Sequence, residues 1–175
     1  MRRCVAVTTF VLLAAAVSGQ AALQACGDKF FQVGRGDRFS RAYNSLYPGR
    51  IVIYTGGPSA ISKALGDGRL QKYFTRAGHR VTVAKDAATL ERDLAAGDVD
   101  LVVASLPEAL ALLTRVDGAT SRPTLLPVSD NERDPLLREH QFAAALKSSD
   151  KITGFLAKIE DVMKARSSAS GRLTN

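Results

Sequence analysis

The sequence predicts an α/β domain in which a five-stranded parallel sheet is covered by helices on both faces. Three observations predict it. Short apolar, β-branched runs recur from Arg50 onward, longer amphipathic runs alternate with them, and glycines or capping residues mark most of the joints. Right-handed crossovers between parallel strands then put helices above and below the sheet.

Ile51-Val52-Ile53-Tyr54 is β-branched and stops at Thr55-Gly56-Gly57-Pro58, so it reads as a buried first strand and a turn. Ser59 is placed to cap the next helical turn, which Gly66 and Gly68 interrupt. Leu70, Tyr73, Phe74 and Ala77 follow at helical spacing, and Gly78 stands where a helix C-terminal glycine belongs. Arg80 to Ala84 alternates and predicts a second strand nearer an edge. Asp86 caps a short helix carrying Leu90 and Leu94, and Gly97 ends it.

Leu101-Val102-Val103-Ala104 is a fully apolar third strand. Ser105 and Glu108 have capping-box spacing, Pro107 is in the first turn, and Leu110, Leu113 and Val116 are the expected inner face. A fourth strand from Thr124 to Val128 contains Pro127, which pushes it toward a sheet edge or an early end. A polar, turn-rich stretch from Ser129 to Pro135 leads to a weak helix over Leu136 to His140. Phe142 to Leu146 is the predicted fifth strand. The last helix spans about Asp150 to Ala165, with Ile152, Phe155, Leu156, Ile159 and Met163 on one stripe. At this size the natural strand order is 2-1-3-4-5, a flavodoxin-like three-layer sandwich.

The start of the chain has a different character. Met1-Arg2-Arg3, an uncharged apolar stretch from Val5 to Val17, and small residues at Ser18, Gly19 and Ala21 predict a secretory signal peptide over residues 1–25. The apolar stretch is short for a bilayer of about 30 Å, and no other segment approaches roughly 18 apolar residues in a row. Leu23-Gln24-Ala25-Cys26 resembles the lipobox of bacterial lipoproteins, with Gln24 departing from the pattern. Either Cys26 is acylated after cleavage before it, or cleavage after Gly19, Ala21 or Ala25 leaves it a lone thiol. Cys4 leaves with the signal, so the mature chain has no partner for an intramolecular disulfide. The expected location is the periplasm or cell envelope, with membrane attachment only through lipidation at Cys26.

Residues 26–48 form an N-terminal extension with Phe30, Phe31 and Val33, and 167–175 a polar, disordered tail. The remaining 49–166 is the size of one domain with one core. The net charge of +7 among 175 residues falls to about +5 without Arg2 and Arg3. That surplus is scattered and lacks the basic run with interleaved aromatics of nucleic-acid binders. No GxxxxGK[ST] loop, CxxC pair or HExxH helix occurs, so no nucleotide, zinc or other cofactor is expected. Asp130, Glu132 and Asp134 alternate but lack the rest of a calcium loop. The Arg35-Gly36-Asp37 triplet is short enough to arise by chance.

From Arg50 to Arg166 the order of elements and a few landmarks resemble the receiver domain of two-component response regulators. The resemblance implies an acidic, Mg²⁺-holding pair after the first strand, where this chain has Thr55 and Gly56. It implies a phosphoacceptor aspartate closing the third strand, where Ser105 stands. The family's Ser/Thr after the fourth strand corresponds to Val128 or Ser129, and its lysine to Lys147, here followed by Ser148 instead of proline. Receiver phosphorylation needs a carboxylate nucleophile and a metal held by hard oxygens, and these positions offer no carboxylate.

The expectation is therefore a non-catalytic binding or interaction module of the envelope, a degenerate receiver that cannot be phosphorylated and whose partner is a protein. The alternative is an exported small-ligand carrier holding an anion at a rim of Thr55, Gly56, Gly57, Ser105, Ser129 and Lys147, because ligands of open α/β sheets bind at the carboxyl ends of the strands. A hydrolase using Ser105 would need a histidine within hydrogen-bond reach of its hydroxyl.

Overall fold

A computed structural model describes residues 44–131 and 133–171. The signal peptide, Cys26 and most of the 26–48 extension lie outside the described residues. Five parallel strands form one sheet: β1 (Arg50–Tyr54), β2 (Arg80–Ala84), β3 (Leu101–Ser105), β4 (Thr124–Ser129) and β5 (Leu146–Lys147), in the order β2-β1-β3-β4-β5. The helices between them are α1 (Ala60–Leu65), α2 (Arg69–Arg76), α3 (Ala87–Ala95), α4 (Leu106–Asp117), α5 (Pro135–Glu139) and α6 (Ile152–Gly171). The chain has the flavodoxin-like α/β fold. Among the described residues no helix is long and apolar enough to cross a membrane.

Alternation along the strands builds two cores, since successive side chains leave a strand on opposite faces. Ile51, Ile53, Leu101, Val103, Leu126 and Val128 pack with α1, α2 and α6, including Leu65, Phe74, Phe155 and Ile159. Val52, Val102, Ala104 and Leu125 pack on the other face with Leu90 and Leu94 of α3 and Ala109, Leu112 and Val116 of α4. All five residues of β3 are buried, which is why that strand reads as a continuous apolar run.

The local signals act as expected at three joints. Ser59 accepts a hydrogen bond from Ser62 N at 3.0 Å, Asp86 accepts one from Thr89 N at 2.7 Å, and Gly68 divides α1 from α2 at φ 81°. Near the start, Ser45 Oγ and Leu46 N donate to the two carboxylate oxygens of Glu160 on α6.

Four expectations need correction. Pro127 does not put β4 at the edge of the strand order or end it early, because β4 runs on to Ser129 between β3 and β5. β5 joins only opposite Val128 and Ser129, so at Pro127 the ladder has a partner on the β3 side alone and the missing N–H is tolerated. The fifth strand is Leu146–Lys147 instead of Phe142 to Leu146. Its predicted start follows Gln141, whose φ of 49° turns the chain, and continues through three alanines of weak strand preference. The inner face of α4 is Leu106, Ala109, Leu112 and Val116, because the helix begins directly at the end of β3; Leu110 and Leu113 are only half-buried. The last helix continues to Gly171, so 167–171 belong to α6 and not to a disordered tail.

Candidate functional site

The carboxyl ends of the strands lie along one edge of the sheet and gather the residues named from the sequence. Thr55 follows β1 and Ser105 ends β3, each two residues past the Ile53–Val103 pair. Ser105 is opposite Val128, and Ser129 is opposite Lys147. All six candidates, Thr55, Gly56, Gly57, Ser105, Ser129 and Lys147, therefore share this rim.

Their roles in the structure differ. Thr55 N donates to Ala84 O at 2.8 Å, extending the β1–β2 ladder by one residue. Gly56 has Tyr54 folded against it: a Cβ there would be 2.5 Å from Tyr54 Oη. Gly57 has no room for a side chain because Glu108 lies against it, with Cγ 2.5 Å from where a Cβ would be. Ser129 is nearly buried, its Oγ accepts from Asn131 N at 3.2 Å, and its carbonyl accepts from Ser148 N at 2.9 Å. Lys147 N donates to Asp150 Oδ2 at 3.3 Å, fixing the turn into α6.

Ser105 and Glu108 depart from the capping box their spacing predicts. Ser105 has the extended backbone of an N-cap, but its hydroxyl makes no capping bond. It is 0 % exposed and Oγ has no hydrogen-bond partner. Glu108 is 8 % exposed, and its Oε2 is also buried without a partner. A buried polar atom left unpaired costs about 1–3 kcal/mol, so two of them at the N-cap and first turn of one helix are a costly feature of this rim. The negative charge of Glu108 does complement the N-terminal end of α4.

Neither described histidine is paired with Ser105, whose Oγ has no partner at all. His79 precedes β2 at the opposite edge of the sheet, where Nδ1 accepts from Gly49 N at 3.3 Å and Nε2 is buried without a partner. Burial holds its pKa below the ordinary histidine value, with the charge of Glu160 acting weakly the other way. Among the described residues no group of three or more His, Cys, Asp or Glu could hold a metal ion.

Sequence reasoning missed a cavity of about 420 Å³ at the rim. One wall comes from the start of α1 (Ser59 to Ile61), another from the start of α4 (Leu106, Pro107 and Leu110). The third is the end of β4 and the following loop (Val128, Ser129, Asp130, Asn131 and Asp134), with Leu136 at the margin. The helices after β1 and β3 leave the sheet on opposite faces, so the cavity opens at the crevice where strand order reverses, the usual ligand position in such folds.

Hydrogen bonds hold the acidic loop in shape. Ser148 Oγ donates to Asp130 Oδ1, Asp134 Oδ1 accepts from Leu136 N at 3.1 Å, and Asn131 Oδ1 accepts from Arg133 N at 3.0 Å. Asp130 and Asn131 are exposed, as the polar, turn-rich reading of this stretch expects, and Glu132 lies outside the described residues. Asp134-Pro135, an N-cap followed by proline in the first turn, was the legible sign of an ordered helix start.

No family model, curated protein or solved structure matches the chain.

Proposed function

We propose that this chain is an exported, non-catalytic binding module on a receiver-like fold, which uses the carboxyl-end rim of its sheet to hold a ligand or partner instead of a phosphoryl group. The observation that carries this reading is the cavity at the strand-order crevice, bordered by a β3 that ends in Ser105. A receiver needs a carboxylate nucleophile there and acidic metal ligands after β1; Thr55 and Gly56 follow β1 in this chain. Glu108 is a carboxylate near the rim, but it is buried against Gly57 at the base of α4.

Charge favours this reading over an anion carrier built on Gly56, Gly57 and Lys147. An anion against Gly57 would meet Glu108, and the cavity loop brings Asp130 and Asp134. α1, which follows the two glycines, is only 6 residues long and already has its N-cap bond from Ser59.

The test is to incubate the purified chain with Mg²⁺ and either beryllofluoride or acetyl phosphate. The expected result is no change in amide resonances around Ser105 and no gain of a phosphoryl group by intact mass. A phosphoryl adduct sinks the reading. Export is tested separately by the N-terminal sequence and mass of the mature chain from an envelope fraction. A lipidated Cys26 or an unmodified start within residues 20–26 is expected, and an intact Met1 sinks export.

A further inference from the structure

The cavity at the rim has a definite chemical character. Its walls include Ile61, Leu106, Leu110 and Val128, and its loop side carries Asp130 and Asp134. Among the described residues that line it there is no lysine or arginine, although the chain as a whole has a net charge of +7. The N-terminal end of α4 faces this region, and Glu108 in its first turn complements that end. Each aspartate uses one oxygen, Oδ1, for a bond that shapes the loop, so the carboxylates are fixed in place before any ligand arrives. Pre-ordered charges beside an apolar cavity of this size match the general pattern of a small-molecule site: mostly apolar walls, with a few convergent polar groups that set orientation.

We infer that the cavity is a binding site for a small organic cation, an amine with an apolar body that fills the space between α1 and α4 and an ammonium group that pairs with Asp130 and Asp134. This rests on the reading of the rim as a binding surface and names the ligand class for it. The complementarity is specific. An ammonium donates to carboxylates in charge-assisted hydrogen bonds, whereas an anion of the same shape is repelled and a neutral alcohol gains only the apolar contact. Leu136 at the margin, 39 % exposed, extends the apolar surface outward for a longer body.

The test uses the full chain and three isosteric probes, n-hexylamine, n-hexanol and n-hexanoate, titrated while amide resonances are followed. Hexylamine is expected to give saturable shifts at Leu110, Asn131 and Leu136, with hexanol weaker and hexanoate inert. D130N and D134N remove charge while keeping an oxygen able to accept the bonds from Ser148 and Leu136, so the fold is retained. Each is expected to weaken hexylamine about tenfold, as loss of a charge-assisted hydrogen bond does. Leu110→Trp, which fills the cavity, is expected to abolish binding with both aspartates intact. Equal binding of hexanoate, indifference to D130N and D134N, or no saturable shift overturns the assignment. So does a lysine-containing peptide that binds there when the amine does not. Acetyl phosphate applied to the same preparation separates the two claims: phosphorylation sinks the binding-module reading, and unphosphorylated protein that ignores the amine sinks the ligand class alone.

Discussion

The carboxylate of Glu108 occupies the space in which a side chain at position 57 would begin, so the turn after β1 and the first turn of α4 fit together only because residue 57 is glycine. Nearest-neighbour sequence reading assigns these residues to separate tasks, a turn and a capping box. Their contact joins the segments that flank the rim cavity.

Gly57→Ala is expected to destabilise the chain by about 1–3 kcal/mol, the cost of forcing extra volume into a packed contact. In a chain that already carries Glu108→Ala the same substitution should cost much less, because the clashing atoms are gone. A double-mutant cycle by urea denaturation reads the coupling. Additive costs would show that Gly57 is required for its backbone alone.

Glu108→Met should leave the melting temperature unchanged or raise it. The side chain keeps its length, and a buried, unpartnered carboxylate oxygen is removed. A clear fall would mean that the carboxylate has a stabilising partner.

Ser105→Ala distinguishes an N-cap from a buried orphan. Loss of a working serine cap costs about 0.5–2 kcal/mol. Ser105 Oγ makes no such bond, so Ser105→Ala is expected to be neutral or stabilising by up to about 1 kcal/mol in equilibrium unfolding.

His79 predicts a stability change with pH. Burial lowers its pKa in the fold, so the native chain keeps the ring neutral where the unfolded chain has begun to bind a proton. The unfolded state then holds more protons, and stability is full above the ordinary histidine value of about 6.5 and falls as pH drops through it. His79→Asn, whose Oδ1 can still accept from Gly49 N, should flatten the melting temperature between about pH 7 and 5 relative to the parent chain. Parallel pH profiles would remove His79 as the cause.

Phe74 is fully buried against the α1, α2 and α6 side of the sheet. Phe74→Ala should cost about 3–5 kcal/mol in chemical denaturation, the usual range for emptying an aromatic core position. A cost below about 1 kcal/mol would indicate that α2 repacks freely over the strands.

By itself the sequence determined the fold class, the strand order and most of the core. Hydrophobic period, caps and glycines are local signals, and Ile51 to Tyr54, Leu101 to Ala104 and the α6 stripe carry them at full strength. It also brought the six candidate residues to one edge, since parallel strands put all their carboxyl ends together. The ends of elements were less legible: β5 began late because of the turn at Gln141, and the face of α4 shifted because that helix starts without a loop after β3. Only the tertiary structure decided the character of the rim. Whether Glu108 turns back to cap its own helix or packs on Gly57 depends on the distance between two crossovers. Whether Asp130 and Asp134 border a cavity depends on how α1 and α4 diverge from the crevice. Those are relations between segments separated by several elements of the chain, and no local pattern encodes them.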